Sequence, residues 1–373
     1  IPVGEFKINK KIHLTADGLT VTGAGMWYSR LNFTTNENGK GGFEIGHDSN
    51  RLTFSNFALT SALTSRYDHL DDKAQYKAFA GSFGKDSRID HMWIEHFECG
   101  AWIGDYDTEM RYTDHLVIEN SRIRNNLADG VNFTQGTRNS VVRNSNIRNN
   151  GDDSLATFSS SIHTQEYASN NSFEHNTIEL GWRAGGVGIF GGKNHKVTNN
   201  LIKDSRGGAG IRVSTVFANK GEGLGFDDNN EILIKDNMIV NSGTTNDFYW
   251  PHSKPRSNID FEETFGPIKG ITVQNNVFVN PVYTDEAITH AGVELDGKVK
   301  IIDSNVQGNT SSDPYKVDAS MSHSVENGKE VYNFTYGDQP TFLPENSTAF
   351  ERDYNYRGER EVDGHIIRLW EHK

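Results

Sequence analysis

The sequence has very few of the residues that build disulfides, cysteine-rich metal sites or membrane spans. It has a single cysteine, Cys99, so neither an internal disulfide bond nor a zinc site of several cysteines is possible. Prolines number only 8, and no apolar run reaches the length of about 18 residues that a transmembrane helix needs. The chain starts at Ile1 without a methionine or a signal-like segment, and we therefore expect a mature or trimmed form.

Positive charge is scarce as well. The 37 Lys+Arg residues are outnumbered by 50 Asp+Glu residues, which gives a formal net charge of -13. A nucleic-acid partner, which needs a basic surface, is therefore not expected, and polyanionic substrates are disfavoured. With 35% hydrophobic and 23% charged residues, the composition is that of a folded chain rather than a disordered acidic one.

Asparagine and glycine are frequent, and the asparagines recur along the middle of the chain. Six of them follow one another at intervals of 24, 32, 24, 37 and 39 residues: Asn120, Asn144, Asn176, Asn200, Asn237 and Asn276. In the first four units, the positions 11 and 13 residues after the asparagine are mostly apolar: Val131 and Phe133, Leu155 and Thr157, Val187 and Ile189, Ile211 and Val213. This alternation is typical of a β-strand and not of a helix.

A repeat of about 24 residues, made of short strands and turns, predicts an all-β chain folded as a right-handed parallel β-helix with insertions. Equivalent residues of successive coils then lie about 4.8 Å apart, and the asparagines form a structural ladder inside a turn. No linker is evident, so residues 1–373 are predicted to be one domain. The repeat is lost after Gly308, and residues 310–373 are predicted to be an irregular cap or lateral packing segment.

Carboxylates interrupt this repeat at one position. The residues nine after the ladder asparagine are Asp129, Asp153, Gly185 and Ala209, and those eight after it are Ala128, Asp152, Ala184 and Gly208. The bend is thus small and neutral in two units, whereas two adjacent units place three aspartates there. Stacking predicts that Asp129 and Asp153 lie within about 5 Å of each other.

Three carboxyl groups this close cannot all ionise easily, so at least one is expected to keep its proton near neutral pH. A protonated carboxyl beside an ionised one is what cleavage of a glycosidic bond requires. If Asp129 and Asp153 hold a water molecule between them, Asp152 is the acid. The same carboxylates would also suit Ca²⁺, either as a structural ion or in a lyase, and they could simply be solvated turn residues.

The segment LADGVNF (residues 127–133), followed by Gly-Asp-Asp at residues 151–153, resembles the β-helix glycosidases of the polygalacturonase type. Those enzymes carry a Gly-His-Gly element and an Arg-x-Lys that binds a uronate carboxylate. Here the comparable glycine stretch contains Val187 instead of histidine, and no lysine follows Arg212 in that pattern. An acidic sugar is therefore not the expected substrate.

A closer resemblance is to glycoside hydrolase family 87, the α-1,3-glucanases and mycodextranases. It rests on VTGAGMWYSRL (residues 21–31), on residues 118–157, and above all on the 23-residue spacing between Asp129 and Asp152. The resemblance covers roughly the first two thirds of the chain. It implies a secreted, inverting endo-hydrolase in which Asp152 is the general acid and Asp129 and Asp153 position the water.

Aromatic side chains that stack on sugar rings are the next candidates. Trp182 lies in an insertion one coil after Asp153, Trp102 and Tyr106 are expected just after the strand of an earlier coil, and Trp250 lies in a long insertion. Each is a candidate substrate-binding residue, and the alternative for each is packing beneath a loop.

Polar candidates complete the predicted site. His163 and Arg183 are candidate substrate-binding residues, with a turn histidine and a structural salt bridge as the alternatives. Asp227 and Asp228 could hold a structural Ca²⁺ in a loop, although a solvated turn is the alternative.

The sequence therefore predicts a secreted, monomeric endo-α-1,3-glucanase that acts on a neutral polysaccharide, requires no cofactor and has no nucleic-acid or membrane partner. The alternatives are a β-helix glycosidase on nigeran, dextran or a galactan, a Ca²⁺-dependent polysaccharide lyase, and a non-catalytic β-helix such as an adhesin or a tailspike-like binder. Against the last alternative, a non-catalytic solenoid has no reason to crowd three carboxylates at a bend where its other coils hold glycine and alanine.

Overall fold

The computed structural model describes residues 1–37, 39–66, 75–219, 221–244, 256–282, 286–290, 292–307, 319–336, 354–362 and 365–372. Within these ranges every regular element is a β-strand. The first 31 strands, β1 to β31, coil into a right-handed parallel β-helix, which confirms the predicted fold. No helix long and apolar enough to cross a membrane occurs in the described part of the chain.

Each coil contributes one strand to each of three parallel sheets. Sheet 1 consists of β1 (Gly4–Ile8), β4 (Ser29–Phe33), β7 (Ala58–Ser61), β10 (Trp93–Glu95), β13 (Arg122–Arg124), β16 (Asn146–Arg148), β19 (Thr177–Glu179), β22 (Leu201–Lys203), β25 (Met238–Val240), β28 (Val277–Val279) and β31 (Asn305–Gln307). Sheet 2 consists of β2 (Ile12–Leu14), β5 (Phe43–Ile45), β8 (Lys77–Gly81), β11 (Cys99–Ile103), β14 (Val131–Phe133), β17 (Leu155–Phe158), β20 (Val187–Phe190), β23 (Ile211–Ser214), β26 (Ile259–Glu262) and β29 (Ile288–Thr289). Sheet 3 consists of β3 (Thr20–Thr22), β6 (Thr53–Ser55), β9 (Arg88–Asp90), β12 (Val117–Glu119), β15 (Val141–Arg143), β18 (Ser172–Glu174), β21 (Lys196–Thr198), β24 (Ile232–Lys235), β27 (Ile271–Gln274) and β30 (Val299–Ile302).

Three bends connect these sheets. Corner 1 leads from sheet 1 to sheet 2, corner 2 from sheet 2 to sheet 3, and corner 3 from sheet 3 to sheet 1 of the next coil. Coils are numbered from the N-terminus, so that β13, β14 and β15 form coil 5. Because all strands run parallel in register, a position in one corner stacks on the same position in the next coil.

The core fills the interior of the coils. In the three-residue strands of sheets 1 and 3 the central side chain points inward and the two flanking ones point outward, whereas in sheet 2 the flanking residues point inward. In sheet 1 this places one buried isoleucine above another over six coils: Ile94, Ile123, Ile147, Ile178, Ile202 and Ile239. Aromatic rings also stack inside, as Phe133 and Phe173 do with ring centroids 5.8 Å apart.

Left-handed backbone at the corners explains why asparagine is so frequent. At corner 3 a column of residues has φ between 48° and 60°, a region that asparagine tolerates better than most residues. This column consists of Asn56, His91, Asn120, Asn144, His175, Asn199, Asp236, Asn275 and Asp303.

The asparagine ladder is real, but the predicted alignment was wrong by one residue in its first two units. Val141 pairs with Ser172, so Asn144 stacks on His175, and the buried Asn176 follows one position later. Corner 1 of coil 7 (180–186) has one residue more than corner 1 of coil 6 (149–154). The extra residue offsets the shift, so the strands of sheet 2 were nevertheless aligned correctly.

The buried ladder runs along the position after the left-handed residue and joins Asn176, Asn200, Asn237 and Asn276. Each side-chain oxygen accepts the backbone N–H and the Nδ2–H of the asparagine one coil earlier, at 3.0 Å for both bonds from Asn200 to Asn237. Three other coils hold serine at this position (Ser121, Ser145 and Ser304), and the Ser145 hydroxyl still accepts the backbone N–H of Ser121 at 3.1 Å.

The chain beyond the last coil was predicted to be irregular, and there the structure differs. Its described residues form a separate four-stranded sheet in the order β32 (Ala319–Glu326), β33 (Lys329–Tyr336), β35 (His365–His372) and β34 (Tyr354–Val362). Two β-hairpins supply the antiparallel pairs, β32 with β33 and β34 with β35. The single-domain boundary and the role of this region as a cap stay predictions.

Replacing Asn237 with alanine tests the ladder. The substitution leaves the N–H groups of Asn200 and the carbonyl of Val197 without their buried partner, and we expect the free energy of unfolding to fall by about 3 kcal/mol. Asn237→Ser keeps an acceptor for the backbone N–H, so we expect it to lose less than half as much. Urea unfolding of both variants measures the difference, and equal losses would contradict a hydrogen-bonding role.

Candidate active site

The three aspartates meet at corner 1 of coils 5 and 6. Asp129 lies two residues before β14, and Asp153 lies two residues before β17. Since Val131 pairs with Leu155, the two aspartates occupy the same position in successive coils, as the repeat predicted. One carboxylate oxygen from each of Asp129, Asp152 and Asp153 lies within 4.8 Å of the others.

Burial and backbone hydrogen bonds hold these carboxylates in place. Asp129 and Asp153 are each only 6% exposed, whereas Asp152 is partly accessible. Oδ1 of Asp153 accepts the backbone N–H of Gly185 at 2.9 Å, and Oδ1 of Asp152 accepts the backbone N–H of Asp153 at 3.1 Å. The bend thus presents both neighbouring carboxylates to one surface.

Glycines beside Asp153 make room for its carboxylate. A Cβ at Gly188 would lie 2.7 Å from Oδ2 of Asp153, and one at Gly185 would lie 3.0 Å from Oδ1. Any side chain at Gly188 would therefore displace the carboxylate. The small residues at this bend in coil 7 are therefore needed because larger side chains would collide with the carboxylate of Asp153.

Sequence reasoning missed one residue of the site, Arg66. Its Nη2 lies 2.6 Å from Oδ2 of Asp152, and the arginine side chain is only 7% exposed. Arg66 lies in the insertion of residues 62–76 between β7 and β8, at corner 1 of coil 3. Because it is 86 residues from Asp152 and outside the repeat, no local pattern in the sequence could have indicated this contact.

Trp182 lies where the sequence placed it, beside the aspartates. It belongs to corner 1 of coil 7 and is 50% exposed. A Cβ at Gly151 would lie 2.3 Å from Cζ2 of the indole, so the ring packs directly over Gly151, the residue before Asp152. An exposed aromatic face thus adjoins the candidate acid.

Trp102 and Tyr106 lie on the coil before Asp129. The prediction that Trp102 follows a strand was wrong, because it lies within β11 and pairs with Asn132 of β14 on the outer face of sheet 2. The strand extends to Ile103 because its alternate residues, Ala101 and Ile103, fill the core. The indole Nε1–H of Trp102 donates to the hydroxyl of Tyr106 at 2.8 Å, which couples the two candidates.

The remaining polar candidates differ in their placement. Arg183 follows Trp182 at corner 1 and is 5% exposed. His163 lies in an exposed turn beyond the opposite end of β17, with a left-handed backbone, so the structure does not bring it to the aspartates. Trp250 lies outside the described residues.

A lysine lies close to each of Asp227 and Asp228, the two aspartates of the predicted calcium loop. Nζ of Lys269 is paired with Asp228 and lowers the pKa of its carboxyl, and Nζ of Lys193 lies 3.6 Å from Asp227. Among the described residues, the group of three or more potential metal ligands is the one formed by Asp129, Asp152 and Asp153. A calcium ion at the Asp227–Asp228 loop stays a prediction.

This arrangement is suited to proton transfer at a glycosidic bond. Three carboxylates share one corner, and the guanidinium of Arg66 is paired with Asp152. Repulsion among the carboxylates favours keeping at least one proton within the cluster. A site with both protonated and ionised carboxyls can supply an acid and a base to one substrate.

Solved structures similar to this chain include the Agl-KA catalytic domain and catalytic domains of GH87 α-1,3-glucanases. The Agl-KA catalytic domain has 36% sequence identity and a TM-score of 0.68, with 82% of this chain and 62% of that chain covered. A GH87 α-1,3-glucanase catalytic domain in complex with nigerose has 22% identity and a TM-score of 0.64, with coverage of 83% and 61%. The catalytic unit of a thermostable GH87 α-1,3-glucanase from Streptomyces thermodiastaticus strain HF3-3 has 22% identity and a TM-score of 0.58, with coverage of 84% and 64%.

The last two similarities establish the fold alone. The chain spans a little over three fifths of the length of each of these structures. No curated protein matches the sequence. The sequence profile of the alpha-1,3-glucanase catalytic domain D2, however, matches residues 1–309, which contain all 31 strands of the β-helix and all three aspartates. The chain therefore belongs to glycoside hydrolase family 87, the family of α-1,3-glucanase catalytic domains.

Proposed function

We propose that this protein is a secreted, monomeric endo-hydrolase that cleaves α-1,3-glucosidic bonds in a neutral glucan with inversion of configuration. The observation that carries the proposal is the cluster of Asp129, Asp152 and Asp153, with oxygens within 4.8 Å, in a chain that belongs to this family. The choice of substrate is supported by related catalytic domains, which form complexes with nigerose and with tetrasaccharides. Secretion follows from the substrate, because an insoluble polysaccharide cannot enter a cell.

In this mechanism Asp152 is the general acid. It is the most accessible of the three carboxyls and lies beside the exposed ring of Trp182, where a sugar can stack. Its proton passes to the glycosidic oxygen as the bond to the anomeric carbon breaks. Asp152 is thereby ionised, and the leaving chain departs with a free hydroxyl.

Asp129 and Asp153 act together as the base. They hold a water molecule whose oxygen attacks the anomeric carbon from the opposite face, while its proton passes to the pair. Inverting enzymes usually separate acid and base by about 6.5–9.5 Å to admit this water. The three carboxyls lie closer than this, with one oxygen of each within 4.8 Å of the others, so the anomer of the product and not the separation tests inversion. The route uses carboxyls and water alone, so we expect activity in EDTA.

Asp152→Asn should reduce hydrolysis of insoluble α-1,3-glucan by at least about 10³-fold, because the amide cannot donate the required proton. Reducing-end release in EDTA measures the effect. Asp204→Asn is the matched control, since Asp204 lies at corner 1 of coil 8 with a left-handed backbone that asparagine also adopts. We expect this control to retain the activity of the unmodified protein.

Full activity of folded Asp152→Asn would contradict the assigned acid. If the unmodified protein releases no ends from α-1,3-glucan, the same assay on nigeran, dextran and a galactan separates the related glycosidases. Unsaturated products that absorb in the near ultraviolet and form only with Ca²⁺ would instead identify a lyase.

Inversion predicts that the first new reducing ends are β-anomers. Because the substrate is α-linked and water attacks once, from the opposite face, the product configuration is reversed. Proton NMR on a soluble α-1,3-linked oligosaccharide, recorded before mutarotation, detects the anomer. The appearance of the α-anomer first would show retention and would require a covalent intermediate.

Trp182→Ala should raise KM by about fivefold with a smaller effect on kcat, since stacking of an aromatic ring contributes about 1 kcal/mol. Trp182→Phe should keep most of this affinity. Trp27 offers a control, because it is 62% exposed and packs on Trp93 and Arg122 of sheet 1 rather than at corner 1, and its replacement with alanine should leave KM unchanged. An unaltered KM in Trp182→Ala would remove this residue from the substrate site.

A further inference from the structure

The ion pair between Arg66 and Asp152 crosses three coils. Arg66 follows β7 of coil 3, whereas Asp152 lies in coil 6, about 14 Å away along the axis at 4.8 Å per coil. Corner 1 of the intervening coil 4 has only three residues, 96–98. Arg66 therefore reaches the candidate active site from an earlier part of the solenoid.

Both described ends of this insertion are anchored to coil 2. The backbone N–H of Ala62 donates to the carbonyl of Phe33 at 2.9 Å, and Leu63 is buried in the core. At the other end, the hydroxyl of the fully buried Tyr76 donates to the carbonyl of Thr35 at 2.6 Å. Arg66 is thus presented from a fixed base rather than from a chain end.

Both carboxylate oxygens of Asp152 face hydrogen-bond donors. Oδ2 faces the guanidinium of Arg66, and Oδ1 accepts the N–H of Asp153. Both contacts stabilise the ionised carboxylate and fix its orientation. The pair is largely removed from water, with 7% and 16% exposure of the two side chains, so the interaction is stronger than on an open surface.

We propose that Arg66 is a positioning residue that orients Asp152 and sets the charge of its carboxyl, an inference that rests on the proposed function of the site. A guanidinium opposes protonation, whereas the acid step requires the protonated form. With Arg66 present, Asp152 therefore loses its acidic proton at a lower pH than it would without the guanidinium. The contact must loosen, as substrate enters or as the pH falls, before Asp152 can donate.

Other charged groups adjoin Asp152 and act in known directions. Asp129 and Asp153 favour its protonation by repulsion. Arg183 and Arg206 occupy corner 1 in the two coils that follow coil 6. Arg66 approaches Asp152 from the preceding coils and pairs with it, so substitutions at Arg66 test this contact directly.

The test compares Arg66→Gln and Arg66→Lys with the unmodified protein on a soluble α-1,3-linked oligosaccharide in EDTA. We expect Arg66→Gln to lower kcat about tenfold through misorientation and to move the alkaline limb of kcat/KM upward by about one pH unit. Arg66→Lys keeps the charge and should restore most of the position of that limb. Circular dichroism and thermal unfolding establish that each variant is folded.

Arg143→Gln is the matched control. Nε of Arg143 lies 2.7 Å from Oε2 of the buried Glu119 in sheet 3, so this variant also breaks an arginine–carboxylate pair, but away from the aspartates. We expect its pH profile to match that of the unmodified protein. A folded Arg66→Gln variant with an unchanged profile would overturn the proposal.

Two further outcomes separate this inference from the proposed function. If the acidic limb moves instead of the alkaline one, Arg66 does set the charge of Asp152, but Asp152 acts as the base and the assigned mechanism is wrong. If the unmodified protein is inactive on every substrate, carboxyl NMR of Asp152 still decides. A higher titration midpoint in Arg66→Gln supports the pair, and an equal midpoint refutes it.

Discussion

Parallel hydrogen bonding between successive coils is the constraint on which the rest of this structure depends. It holds equivalent residues about 4.8 Å apart in every sheet and every corner, so a residue type repeated at one position becomes a column. Such columns are favourable for amides, which satisfy one another through the buried ladder at corner 3. They are unfavourable for carboxylates, and where corner 1 of coils 5 and 6 stacks two aspartates it also supplies backbone donors, glycines and a guanidinium.

Features that repeat could be predicted from the sequence. The coil length, the inward residues of sheet 2 and the meeting of the three aspartates at one bend all follow from position within the repeat. The position of Trp182 followed because its insertion begins at a bend that was already aligned. The alignment failed locally at corner 3, where Asn144 and Asn176 occupy adjacent positions that both favour asparagine for different reasons.

Features outside the repeat could not be predicted. The contact of Arg66 depends on the path of an insertion whose residues carry no periodic signal, and the strand position of Trp102 depends on which neighbours fill the core. The strands β32 to β35 form hairpins with their own register, which the preceding repeat does not determine. Both kinds of failure arise where tertiary packing, and not local pattern, decides the conformation.

The stacked construction also determines how disturbance spreads through the molecule. In a solenoid each coil interacts almost entirely with its two neighbours, so stability is a sum of nearest-neighbour terms and opening starts at the ends. Corner 1 of coils 5 and 6 lies midway along the ten coils. Several coil–coil interfaces therefore separate the aspartates from the first and last coils. When the termini of the β-helix open and close, the distances between the carboxylates persist.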